Sequence, residues 1–275
     1  KEGDYISING TTGEVYNGQV ETKAAEVSGD FADLMALCEK HTKLVVRTNA
    51  DTPHDAKVAR DFGAVGIGLC RTEHMFFEAE KIVAMREMIL SPDAEGRKKA
   101  LAKLLPYQKA DFYGIFKAMD GCPVNVRLLD PPLHEFVPHD TKGQEEMAEA
   151  MGVSIQTIKQ RVESLCEANP MLGHRGCRLG NTYPEITEMQ TRAILGAAIQ
   201  LKKEGGDPHP EIMVPLTGIL YEFEAQEKVI RATAAELFAE EGIEIPFKVG
   251  TMIEIPRAAL TANRIASRAE YFSFG

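Results

Sequence analysis

Gly250-Thr251-Met252-Ile253-Glu254-Ile255-Pro256 is the stretch whose reading decides the fold. It follows an apolar run, Ile245, Phe247 and Val249, and precedes Arg257-Ala258-Ala259-Leu260, which has the composition of a helix. Proline in the first turn of a helix costs no hydrogen bond, so Pro256 marks a switch from strand to helix. The spacing predicts a buried strand whose last residues reach the rim of a barrel, with Glu254 at the switch. A carboxylate in that position is costly to bury unless a cation meets it. Two readings of Glu254 stand side by side: a ligand for a divalent metal facing an anionic substrate, or the partner of an arginine in a structural ion pair.

Outward from this strand the chain alternates apolar runs with helical patterns. Strands are expected at 44–48, 64–70, 124–129, 173–179, 211–215, 245–254 and 271–274, the fourth being the weakest. Between them, helical spacing or capping signals cover 31–41, 51–63, 144–151, 154–168, 185–204, 221–241 and 257–269. A helical insertion at 78–119 is expected to break at Ser91-Pro92-Asp93 and near Pro106. Buried, non-alternating strands in repeated strand–helix units argue for a parallel sheet. Seven of them over residues 31–275 fit an α/β fold, a (β/α)8 TIM-like barrel lacking its last unit. The competing architecture, an open doubly wound sheet, lacks its glycine-rich phosphate loop. Gly66-Ile67-Gly68 has no third glycine and lies inside a strand.

Ahead of the barrel, residues 1–20 read as a β-hairpin with turns at Asn9-Gly10 and Thr12-Gly13, too small to fold alone. It is expected to be the tail of an upstream domain, and residues 21–30 a linker. The chain opens at Lys1 without a methionine, as part of something longer would.

Composition narrows the function classes. The 275 residues are 44% hydrophobic and 26% charged, ordinary for a globular protein, and no apolar run approaches the roughly 18 residues that span a bilayer. A net charge of -10 leaves no basic footprint for nucleic acid. Five scattered cysteines without a CxxC pair suggest reduced thiols and a cytoplasmic setting. A small anion could still be held where arginines cluster.

Barrel active sites lie at the C-terminal ends of the strands. The residues expected there are Arg47, Arg71 and Glu73, Arg127 and Asp130, His174, Arg175 and Arg178, Thr217, and Glu254. Guanidinium forks grip phosphate and carboxylate bidentately and stay charged. Each arginine could pair with its own surface acid, but arginines at four successive rim positions favour one shared anion. Asp130 and Glu73 are expected to orient the arginines. His134 and His139 flank Pro138 at no zinc spacing and suit a loop, and Cys70 and Cys177 sit in apolar stretches as packing residues.

Four segments resemble one family. They are Arg71-Thr72-Glu73-His74-Met75-Phe76, Arg127-Leu128-Leu129-Asp130-Pro131-Pro132-Leu133-His134-Glu135-Phe136, Gly173-His174-Arg175-Gly176-Cys177-Arg178-Leu179 and Gly250 to Pro256. Together, in this order, they are similar to the PEP-utilising enzymes over essentially the whole chain. The resemblance implies a hairpin from the swivelling phosphohistidine domain followed by the PEP/pyruvate-binding barrel. It implies reversible interconversion of pyruvate and phosphoenolpyruvate (PEP), with ATP and phosphate converted to AMP and pyrophosphate at a distant domain of the full enzyme, itself a homodimer. Carried over by motif, Arg71, Arg127 and Arg175 would be catalytic, clamping the phosphoryl group, and Glu254 would bind substrate through Mg2+.

Two branches of the family, PEP synthase and enzyme I of the sugar phosphotransferase system, share some of these elements but not usually the run from Asp130 to Phe136. A citrate-lyase-like Mg2+–enolate barrel would not need several phosphate-binding arginines. The family's second metal ligand and its proton-donating cysteine would follow Gly275, and none of the five cysteines stands in that motif. This stretch alone is therefore expected to bind PEP or pyruvate without completing a turnover.

Overall fold

The computed structural model describes residues 2–22, 27–77, 79–130, 132–167, 169–171 and 173–275, with backbone alone for 79 and 80. The chain divides into two compact units, residues 1–44 and 45–275. In the first, β1 (Ile6–Ile8) and β2 (Val15–Asn17) pair antiparallel, Ile8 opposite Val15. The Asn9 side chain accepts the Thr11 N–H in the turn, at 3.1 Å. Helix α1 (Gly29–His41) buries none of its residues, and Phe31, Leu34 and Leu37 are exposed. Of the expected linker, residues 23–26 lie outside the described residues.

In the second unit six parallel strands form one sheet in sequence order: β3 (Thr48–Asn49), β4 (Ile67–Arg71), β5 (Pro123–Arg127), β6 (His209–Val214), β7 (Lys248–Ile253) and β8 (Phe272–Phe274). With helices between the strands, this is a partial TIM-like barrel. Alternation along the strands sorts the two faces. Val124, Val126, Ile212, Val214 and Val249 join the main core with α4 (Ala94–Ala118), α8 (Pro184–Lys203) and α9 (Leu220–Glu241). Asn125 faces the other way, its amide donating to the Gly68 carbonyl at 3.0 Å and its oxygen accepting the Tyr271 hydroxyl at 2.8 Å.

Helix starts follow the chemistry of their caps. Thr52 accepts the Asp55 N–H ahead of α2 (Pro53–Asp61), and Asp93 accepts the Gly96 N–H ahead of α4. The remaining helices are α3 (Ala79–Leu90), α5 (Thr141–Met151), α6 (Ile155–Ser164), α7 (Gly176–Thr182), α10 (Pro256–Leu260) and α11 (Ala262–Ile265).

Several expectations need correction. The fourth strand, 173–179, does not exist: Arg175 is the N-cap of α7 and Gly176 begins that helix. β5 pairs directly with β6, Val126 against Ile212, so the sheet has no slot for a strand between them. Seven strands become six among the described residues. The first strand shrinks to Thr48–Asn49, and Leu44, Val45 and Val46 stay exposed. Helix α4 runs unbroken through Pro106. A proline there costs about 3 kcal/mol, and buried Leu101, Leu104, Phe112 and Phe116 offset it from the same helix. The 257–269 helix is two short ones, parted at Thr261.

The stretch from Gly250 to Pro256 owes its first residue to close packing. A Cβ at Gly250 would stand 2.5 Å from a ring carbon of Tyr271, which is held from behind by Asn125. Overpacking of this kind should make Gly250→Ala destabilising by ~1–3 kcal/mol in urea unfolding; a variant as stable as the parent would show that the ring can step aside.

Candidate functional site

Register brings the site together. Arg71 ends β4 and Arg127 ends β5, and the two are paired residues of adjacent strands. The short 3-10 turn Thr72–Phe76 follows Arg71 immediately and sends Glu73 and His74 in different directions. Glu73 forms an ion pair with Arg127, and His74 Nδ1 lies 2.7 Å from Asp51 Oδ2.

Asp130, just past β5, is almost completely buried and holds two arginines. Its Oδ2 is 3.2 Å from Arg127 Nη1 and 3.1 Å from Arg175 Nη2. Arg175 Nε also donates to the Asp130 backbone carbonyl, at 2.8 Å. Buried charge of this kind persists only when it is paired on all sides. The pairing is nearly complete: Arg127 Nε and Glu73 Oε2 are buried without a partner among the described residues.

Glu254 follows β7 and is half-buried. Its Oε1 accepts the Leu216 N–H at 2.8 Å. Burial pushes its carboxyl above the ordinary value; the Leu216 N–H lowers it, Asp130 raises it, and Arg127 and Arg175 lower it. Glu254 therefore sits in the electrostatic field of the Asp130 cluster. Arg127, Arg175, Asp130 and Glu73 are gathered in direct contact, and Glu254 is coupled to them through charge.

Arg71 is placed differently. Its backbone N–H donates to Asp51 Oδ1 at 2.6 Å, and its Nη1 lies 3.5 Å from Asp51 Oδ2. Arg47 is not at the rim: it precedes β3 and meets Glu211, near the start of β6, at 2.6 Å. Arg178 donates to the Gly173 carbonyl and His174 contacts the Thr182 hydroxyl, both at α7. Thr217 is buried against the Thr251 hydroxyl. His139 Nε2 lies 3.0 Å from the His134 carbonyl in the loop after β5. Cys70 and Cys177 are buried; burial pushes the Cys70 thiol up, and the Cys177 thiol up to about 12.

Three contributors escaped the sequence reading. Asp51 is the second residue past β3, a rim position by the same rule that found Arg71. Gln190 is a polar residue inside the apolar stripe of α8; its amide donates to the Thr72 hydroxyl at 3.0 Å and accepts the Leu129 N–H at 2.8 Å. It ties the ends of β4 and β5 to one helix. Leu216 carries no signal in its residue type, because its contribution to Glu254 is a backbone N–H.

The donor set limits what cation could be held. Among the described residues there is no group of three or more His, Cys, Asp or Glu placed to chelate a metal. Asp130 and the buried Glu73 are engaged by guanidinium groups, which leaves the half-buried Glu254 as the more open carboxylate. That excludes a preformed protein cage and suits Mg2+, which keeps waters and substrate oxygens around one or two carboxylates.

The protein-family comparison then places the chain. The model described as "PEP-utilising enzyme, PEP-binding domain" matches residues 25–275. The chain belongs to the PEP-utilising enzymes. Among curated relatives of this family, pyruvate, phosphate dikinase of Giardia intestinalis is 58% identical over all of the chain and 31% of its own length. The dikinase of Clostridium symbiosum is 54% identical over all of the chain and 32% of its own length, and the chloroplastic dikinase of Flaveria trinervia is 54% identical over all of the chain and 29% of its own. The chain thus spans about a third of the length of these PEP-utilising relatives. No described helix is long and apolar enough to cross a membrane.

The raised Glu254 carboxyl gives a prediction with a definite sign. A carboxyl whose folded value is raised withholds stability when ionised and withholds none once protonated in both states. Glu254→Gln should therefore raise Tm at pH 7–8 by about 2 °C or more, and the gain should disappear as pH falls below the ordinary carboxyl value of 4.5. A Tm difference that does not change with pH would show that the charge of Glu254 is not strained. Asp130→Ala, by contrast, strips the mostly buried Arg175 of its carboxylate and leaves Arg127 with Glu73 alone, and should cost ~3–5 kcal/mol in denaturant unfolding; a loss under 1 kcal/mol would contradict the shared-carboxylate geometry.

Proposed function

We propose that this chain forms the PEP/pyruvate-binding site of a phosphotransferase. In the complete protein it would interconvert pyruvate and PEP through a phosphohistidine on a separate domain, with ATP and phosphate giving AMP and pyrophosphate. Support comes from the names of the three relatives given above, each a pyruvate, phosphate dikinase, and from one feature of the geometry. That feature is the convergence of Arg127 and Arg175 on Asp130 within the field of Glu254.

In the direction of PEP formation, the phosphorus–nitrogen bond of phosphohistidine breaks and a phosphorus–oxygen bond forms to the enolate oxygen of pyruvate. The pyruvate methyl group would give its proton to a base, the role that the family resemblance assigns to a cysteine expected after Gly275 and to none of the five cysteines of this chain. Such transfers depend on positioning and on neutralising charge at the equatorial phosphoryl oxygens. Arg127 and Arg175, fixed by Asp130, would supply that neutralisation with little reorganisation. Arg71 stands on the neighbouring strand, loosely engaged with Asp51, and can reorient toward the anion.

The charge balance bears on the cofactor. Three guanidinium groups, Arg71, Arg127 and Arg175, face four carboxylates, Asp51, Glu73, Asp130 and Glu254. The acids that fix the arginines also offset part of their attraction for a dianion. Mg2+ on Glu254 would reverse that balance, and when bound it supplies Lewis-acid stabilisation of the enolate oxygen.

Calorimetry with PEP or its mimic oxalate tests the reading. Binding should require Mg2+, and Arg127→Ala should weaken it roughly 10-fold or more. Equal affinity for parent and variant, or binding indifferent to Mg2+, would overturn the assignment.

A further inference from the structure

Leu216 is the one residue other than glycine with a positive φ, 58°, among the described residues. A side chain makes that left-handed conformation costly, so surrounding contacts must hold it. They do so from both sides. The Leu216 carbonyl accepts the Cys177 thiol at 3.2 Å, and the Pro215 carbonyl accepts the Cys177 N–H at 3.0 Å. The Thr217 hydroxyl is 2.8 Å from that of Thr251 on β7. The Leu216 N–H is left to donate to Glu254 Oε1. Its side chain lies over Gly176, where a Cβ would stand 2.9 Å from Leu216 Cδ1 and 3.1 Å from Asp130 Oδ1.

The residue therefore touches both halves of the site. Its backbone holds the carboxylate, and its side chain rests on the residue after Arg175, beside the carboxylate that grips both arginines. We infer that Leu216 is a positioning residue: its left-handed backbone aims an N–H at Glu254 and fixes that carboxylate relative to the Asp130–Arg175 pair. The inference rests on the proposed role of Glu254. A residue that served only to fill the core would move stability and binding together, whereas a positioning residue separates them.

Two substitutions make the separation visible. Leu216→Ala keeps the backbone strain and loses the packing; Leu216→Gly loses both, because glycine adopts positive φ freely. Leu216→Gly should therefore match or exceed Leu216→Ala in Tm, yet bind oxalate in the presence of Mg2+ roughly threefold or more weakly than Leu216→Ala. Equal affinities, or affinities that follow Tm, would overturn the inference. Cys177→Ala removes the anchor on the Leu216 carbonyl and should weaken oxalate binding in the same direction. It decides the matter if either Leu216 variant fails to fold, and unchanged affinity counts against the inference.

A ligand-free arm separates this question from the site reading. In a thermal double-mutant cycle, the Tm shifts of Leu216→Gly and Glu254→Ala should fail to add by about 2 °C or more, because the first frees the backbone that aims the N–H and the second removes the carboxylate that accepts it. Additive shifts overturn the positioning role. If the parent chain does not bind oxalate, or Glu254→Gln binds it as tightly with the same Mg2+ dependence, the proposed role of Glu254 fails while the cycle still decides the role of Leu216.

Discussion

One buried carboxylate organises the rim of this partial barrel. Asp130 is shared by guanidinium groups from two different elements, the end of β5 and the cap of α7. Taking any of these charges out of water alone would be prohibitive, so each exists in its place because the others do. The end of β5 and the start of α7 are thereby locked in one arrangement. Glu73 adds a second acid to Arg127, and Glu254 adds a third carboxylate to the same field. The parallel sheet below supplies a rigid base whose register sets Arg71 beside Arg127.

Much of this was legible from residue types. The strand at 245–254 and the helices at 185–204 and 221–241 carry long, strongly periodic patterns, and they stand within a few residues of where periodicity put them. The rim rule found Arg71, Arg127, Asp130 and Glu254 because a strand end followed by a charged residue is visible in one dimension. Strand placement erred at the first strand and in the middle of the series. Leu44-Val45-Val46 looks like a buried strand but lies exposed beside the two-residue edge strand β3. Gly173 to Leu179 has apolar Cys177 and Leu179 at spacing two, which a strand and the first turn of a buried helix share; only the β5–β6 pairing excludes the strand.

Arg47 failed for a related reason. With the first strand displaced toward Asn49, the residue expected at the rim precedes the strand instead, where it neutralises Glu211. Contacts built from backbone groups were the least legible. Nothing in the letter Leu announces a left-handed residue, and nothing in Pro106 announces that a helix will continue through it. Both are decided by tertiary packing against local preference, which a single sequence does not display.

Gln190 has a consequence for how the spacing of the rim is set. One amide on α8 is bonded both to Thr72 beyond β4 and to Leu129 beyond β5. The gap between the two arginine-bearing strand ends is thus calibrated by a helix on the far side of the sheet from the barrel interior. A substitution on the outer surface of α8 that rolled the helix slightly about its own axis would act like a turn of a vernier screw, altering the reach of the clamp while leaving every clamp residue unchanged.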